Sequence, residues 1–115
     1  MPSRAFAAVR YALRGIAFML GARNCQVLAL ATIAVVAAGA YFHLSALEWC
    51  SVLLAITAVW VAEGLNTALE RLTDLASPGF HPLAGKAKDI AAGAVLITVI
   101  GAVSIGIIIF GPRLV

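Results

Sequence analysis

The chain has 115 residues, of which 63% are hydrophobic and 11% charged. A soluble domain carries about a quarter charged residues and under half apolar ones, so too little polar surface is present to cover a water-soluble globule. An ordinary soluble enzyme, a disordered chain and a disulfide-stapled secreted domain are excluded, leaving a small membrane protein read as one domain over residues 1–115. The net charge of +3 comes from bases that do not cluster over an aromatic platform, so no nucleic-acid partner is expected.

Residues 4–22 read as an amphipathic surface helix. Phe6, Val9, Leu13, Ile16 and Leu20 recur at three and four residues and form one apolar stripe. Arg4, Arg10 and Arg14 lie on the other side, interrupted by Phe18. The pattern fits a helix lying on the inner leaflet. Residues 1–24 lack the compact apolar core and small-residue cleavage site of a signal peptide.

Apolar stretches follow at about 26–42, 44–65 and 90–110. A helix needs about 20 apolar residues to cross the hydrocarbon core. The second and third have them, and the first reaches that length with its flanks. Lipid offers backbone groups no water, so helices are expected. Residues 75–88 read as a loop, since Ser77-Pro78-Gly79 is turn chemistry and Pro82 follows. Arg4, Arg10, Arg14, Arg23, Arg71, Lys86 and Lys88 lie on one side of these spans and Arg113 on the other. That asymmetry places the N-terminus and the 71–88 segment in the cytoplasm and the C-terminus outside. The expected fold is an all-α multi-pass membrane protein: a surface helix and three transmembrane helices. Gly101, Gly106 and the alanines suit close helix packing. Cys25 and Cys50 fall near opposite faces of the bilayer, too far apart for a disulfide that needs Cα atoms within about 7 Å.

The informative segment is Ala62 to Asp74. Glu63, Asn66, Glu70 and Asp74 share one helix face. Glu63 ends the uncharged run from Trp49 to Ala62, and a carboxylate there costs several kcal/mol on insertion scales, so it needs a partner or a function. A buried carboxylate can serve as a general base. Oxygen ligands of this kind suit Mg²⁺ held partly by substrate phosphates. The plainer alternative pairs Glu63 with an arginine of the surface helix or of a second copy, and leaves Glu70 and Asp74 in water. Lys86 and Lys88 suit phosphate or, equally, simply mark the cytoplasmic side. The interval from Gly79 to Lys86 fails the phosphate-loop spacing. His43 and His81 lack metal-ligand spacing and read as surface or capping groups. Trp49 and Trp60 read as interface anchors or packing groups.

The run Ala62-Glu63…Asn66-Thr67-Ala68…Glu70…Asp74, then Ser77-Pro78…His81-Pro82-Leu83-Ala84 and Lys86-Ala87-Lys88-Asp89-Ile90-Ala91-Ala92-Gly93-Ala94-Val95, resembles the prokaryotic diacylglycerol kinase and undecaprenol kinase family over almost the whole chain. The resemblance implies a small homotrimeric kinase of the bacterial inner membrane, with active sites shared between subunits. Such enzymes move the γ-phosphate of ATP, with Mg²⁺, onto a lipid alcohol, either diacylglycerol or undecaprenol. By similarity Glu63 matches the catalytic base and Glu70 the metal and ATP ligand, with Asn66 beside it. Lys88 and Asp89 match a nucleotide-contacting pair, and Gly79, Phe80 and His81 lie where the family also touches ATP. The residues that bind the lipid are not identified by the resemblance. The Asn66-Thr67-Ala68 wording leans toward the undecaprenol branch.

One departure stands out. The family carries a further metal-binding carboxylate where the surface helix meets the first span, but Ala22 or Arg23 stands there, and no acid precedes Glu48. The metal then rests on Glu70, ATP oxygens and water, or takes Asn24 or Gln26 as a neutral ligand. The rival readings are a non-catalytic family member that assembles or binds lipid, and an ion-translocating protein using Glu63.

Overall fold

The protein, as a computed structural model, is described over residues 3–115. Its helices are α1 (Ser3–Leu20), α2 (Arg23–Tyr41), α3 (Ala46–Ala76) and α4 (Pro82–Leu114). Three of them, α2, α3 and α4, are long and apolar enough to cross a membrane. Among the described residues there is no strand.

The expected boundaries need correction at the loop. Residues 75–88 were expected to be irregular, yet α3 continues to Ala76 and α4 already begins at Pro82. The reason is local. Proline is tolerated at the first helical position, where its missing N–H has no partner to lose. His81 caps that turn, its Nδ1 accepting from the Leu83 N–H at 3.1 Å. The break therefore shrinks to Ser77–His81, and Lys86, Lys88 and Asp89 stand on helix rather than loop. At the other end of α3, Ser45 and Glu48 form a reciprocal capping box.

The turn between α2 and α3 is a Schellman closure. The Leu44 N–H donates to Gly39 O and the His43 N–H to Ala40 O, with His43 in the left-handed region at φ 54°. Leu44 folds back onto Gly39, where an added Cβ would lie 2.7 Å from the Trp49 ring. Leu44, Val52 and Ile109 are buried there, with Phe42, Trp49, Ile56 and Phe110 packed around them.

Helices α3 and α4 run antiparallel and are pinned at both ends. Lys88 meets Asp74 at one end, and Arg113 Nη2 lies 2.9 Å from Glu48 Oε1 at the other. Helix α2 is tied to α3 by the Trp60 indole N–H, which donates to Thr32 Oγ1 at 2.9 Å. Thr32 in turn donates to Leu28 O, so this polar chain inside the apolar bundle is satisfied. Helix α1 leaves Phe6, Val9, Leu13 and Ile16 uncovered by protein, as an interfacial helix requires. Cys25 and Cys50 are free, and lie at opposite ends of the α2–α3 hairpin.

Only glycine takes the left-handed conformation without steric cost, so His43→Gly should raise stability by about 1 kcal/mol. Thermal unfolding in detergent, followed by circular dichroism, reads this as a higher midpoint. An unchanged or lower midpoint would show that the histidine ring earns its place by a contact outside this turn.

Candidate functional site

The site grows from the packing seam of α3. Val52, Val59, Glu63 and Asn66 are its buried residues, spaced seven, four and three apart. That spacing is one helical stripe turned into the bundle. Its outer part is apolar, and its last turns are not. Glu63 and Asn66 are each only 8% exposed, although both are polar.

Glu63 has no cationic partner among the described residues. The ion pairs among the described residues are Lys88–Asp74 and Arg113–Glu48. Pairing with a surface-helix arginine, the plainer alternative, is therefore not what holds it in this chain. The buried thiol of Cys25, in the first turn of α2, lies within electrostatic reach of Glu63. The end of α1 closes over the next residue: an added Cβ on Gly64 would lie 2.8 Å from Met19 Cε. The contact is made by the flexible end of the Met19 side chain, through Cε and Sδ.

One turn further, Asn66 Nδ2 donates to Glu70 Oε1 at 2.8 Å. Asn66 Oδ1 is buried without a hydrogen-bond partner. An unpartnered buried acceptor costs about 1–3 kcal/mol, so it signals an occupant that the polypeptide does not supply. Glu70 is exposed, and its charge reaches Lys88. Lys88 is held by Asp74, in the first turns of α4 ahead of the apolar stretch. The hydrogen bond to Asp74 raises the Lys88 ammonium above its ordinary 10.5, the charges of Asp74 and Glu70 adding and partial desolvation opposing. Asp89 is exposed and makes no ion pair among the described residues.

The α3–α4 connection is looser. Ser77 Oγ donates to Gly79 O at 3.3 Å, and Phe80 is 95% exposed. His81 spends its Nδ1 on the α4 cap, leaving Nε2 as the ring's outward atom. The structure thus joins Asn66 to Glu70 and sets Lys88 within the field of Glu70, with Glu63 one turn before Asn66 on the same helix; Gly79, Phe80, His81 and Asp89 make no contact with these groups among the described residues. The packing of Met19 on Gly64 and the electrostatic reach between Cys25 and Glu63 are not legible in spacing, because no pattern within one helix reports the approach of another.

No group of three His, Cys, Asp or Glu side chains able to hold a metal occurs among the described residues. Ala22, at the α2 N-cap, offers no side-chain bond. Gln26 directs its amide N–H₂ to Leu20 O at 3.2 Å. The donors near Glu63 are therefore the Glu70 carboxylate and the unpartnered Asn66 oxygen. Mg²⁺ typically takes one or two carboxylates plus substrate phosphates, so these residues fit a cation that arrives with a polyphosphate. An open, almost wholly apolar groove of about 780 Å³ runs alongside, lined by α3 residues including Ala62, Leu65 and Asn66 and by Ala91, Ala94 and Thr98 of α4.

Comparison with known proteins gives a consistent picture. The family model for prokaryotic diacylglycerol kinase matches residues 10–110. Undecaprenol kinase of Bacillus subtilis (strain 168) is 44% identical over 92 residues, covering 80% of this chain and 75% of the relative. Diacylglycerol kinase of Synechocystis sp. is 39% identical over 99 residues, covering 84% of this chain and 57% of the relative. Diacylglycerol kinase of Helicobacter pylori (strain ATCC 700392 / 26695) is 39% identical over 75 residues, covering 65% of this chain and 58% of the relative.

The Lys88–Asp74 contact makes a pH prediction. A folded pKa raised above 10.5 means the pair's contribution is complete below 10.5 and is lost as pH climbs through the folded value. With ¹³Cε-labelled lysine followed by NMR, Lys88 should titrate above its ordinary 10.5, and Asp74→Asn should bring it back toward that value. A Lys88 midpoint indifferent to that substitution would rule the contact out in solution.

Proposed function

The chain belongs to the prokaryotic diacylglycerol kinase family, and from that premise we propose that it transfers the γ-phosphate of ATP to the hydroxyl of a membrane lipid, diacylglycerol or undecaprenol, at the cytoplasmic face of the bacterial inner membrane. The observation that carries this reading is Glu63: a carboxylate 8% exposed, inside the bundle, with no cationic partner among the described residues. Such a group is expensive to keep in a membrane helix and is held there for function.

In this reading Glu63 accepts the proton of the lipid alcohol as its oxygen bonds to the γ-phosphorus. The bond from that phosphorus to the bridging oxygen breaks, and ADP leaves. A buried base next to Ala62, which lines the apolar groove, suits a substrate whose tail is lipid and whose hydroxyl is at the interface. Glu70, with Asn66, is where Mg²⁺ would be held, and the cation would supply charge neutralisation on the phosphates. Lys88 exchanges Asp74 for phosphate oxygens, and Asp89, Gly79, Phe80 and His81 border the nucleotide. Most of the catalysis of phosphoryl transfer is positioning and charge stabilisation, which matches a site of a few fixed groups. The chain leaves one side of this site open to the bilayer, which supports assembly with further copies, read here as a homotrimer.

The test is transfer of γ-labelled phosphate in mixed micelles, with diacylglycerol and undecaprenol in parallel. Removing a general base typically costs 10²- to 10⁴-fold, so Glu63→Gln should lose at least about 100-fold in turnover while the protein stays folded and assembled. Normal turnover in Glu63→Gln would sink the assignment of the base. Label in neither lipid, from folded wild-type protein, would leave the non-catalytic reading.

A further inference from the structure

We propose that the cleft between α1 and α3 holds the lipid after it has been phosphorylated, with Arg71 binding the phosphomonoester. The inference rests on the kinase reading above, and extends it from the base, metal and nucleotide groups to the product.

The cleft encloses about 380 Å³, with Gly15, Ile16 and Met19 of α1 facing Gly64, Thr67 and Arg71 of α3. It is a different space from the groove between α3 and α4. Arg71 is the one charged residue of its lining, and it makes no ion pair among the described residues. Other arginines are engaged: Arg14 lies over the Tyr11 ring at 5.6 Å, and Arg113 meets Glu48. Glu70, the neighbour of Arg71 in sequence, is bonded to Asn66 on another face of the helix. Thr67 spends its hydroxyl hydrogen on Glu63 O at 3.0 Å, so the guanidinium is the donor that the cleft offers. At 100° per residue, Thr67 stands about 40° and Arg71 about 80° round α3 from Glu63, and Arg71 lies about 12 Å further along the axis. Helical side chains lean toward the N-terminal end of their helix, which carries the guanidinium back toward Thr67 and Glu63. A path therefore leads from the buried carboxylate, past Thr67, into the cleft.

Charge decides the occupant. The lipid alcohol is neutral and gains nothing from a guanidinium. Transfer leaves a phosphomonoester with about −1.5 to −2 charges near neutral pH and three acceptor oxygens. A guanidinium binds such a group through two parallel N–H donors. The common bilayer phospholipids are diesters, with less charge and fewer free oxygens, and match it less well. The apolar walls at Ile16 and Met19 suit the start of the lipid chain. A phosphate drawn to Arg71 leaves Glu63 clear for the next alcohol.

The experiment uses the full-length protein in detergent without ATP or Mg²⁺, so that no turnover is required. Native mass spectrometry reads retention of the phosphomonoesters of diacylglycerol and of undecaprenol, with phosphatidylglycerol of matched chains as the diester probe. Wild type should retain at least one of the monoesters over the diester. Hydrogen bonds to charged groups are strong, so Arg71→Gln should weaken that retention about tenfold or more. Arg71→Lys should keep part of it, and Arg14→Gln all of it, with helicity and assembly unchanged. Equal retention of monoester and diester by wild type would overturn the proposal, and that measurement needs no variant. Retention by Arg71→Gln equal to wild type would also overturn it, as would an equal loss in Arg14→Gln, the mark of general attraction to a basic surface. Failure of the kinase reading is read separately, as absence of lipid phosphorylation by wild-type protein.

Discussion

The structure depends on a single stripe of α3. A membrane helix satisfies its own backbone, so its side chains alone decide what it packs against. Val52, Val59, Glu63 and Asn66 occupy the packing face, and the stripe changes from apolar to polar along its length. The seam that holds the bundle together is therefore also the seam that carries its buried polar groups. Everything else is arranged against it. The antiparallel α4 brings Lys88 within the field of Glu70, the start of α2 brings Cys25 beside Glu63, and the end of α1 rests on Gly64. Moving Glu63 by one residue along α3 would turn it about 100°, off the buried face.

The same arrangement leaves the site half built. The radius of gyration is 17.3 Å, against about 13–14 Å for a closed globule of this length. The molecule measures 50 × 45 × 20 Å, a slab rather than a ball. A slab of helices can present a stripe of polar groups along its edge, but it cannot surround a nucleotide and a lipid together. This is the physical ground for reading the functional unit as several copies.

Much of this was legible in the sequence because the bilayer imposes simple rules. The hydropathy of α2, α3 and α4 marks spans, and the three- and four-residue recurrence of Phe6, Val9, Leu13 and Ile16 marks α1. The stripe from Glu63 to Asp74 is readable from helical periodicity alone. What was not legible lies between helices. The loop expected at 75–88 was overdrawn, because Pro82 looks like a breaker in sequence but acts as a helix start once His81 caps it. The contact of Met19 with Gly64, and the nearness of Cys25 to Glu63, depend on how α1 and α2 cross α3, which no local pattern encodes. The Asn66–Glu70 hydrogen bond was within reach, since residues four apart on a helix face each other. The orphaned Oδ1 was not, because it depends on what fails to surround it.

The α1–α2 junction, where Ala22 and Arg23 stand, bears on the electrostatics of the site. Ala22 is the N-cap of α2 and supplies no side-chain cap, so the first N–H groups of that helix keep their partial positive charge, about half an elementary charge in total. Cys25, in that first turn, lies within electrostatic reach of Glu63. Arg23 adds a full positive charge at the same junction. The field around Glu63 and Glu70 is then less negative than these two carboxylates alone would make it.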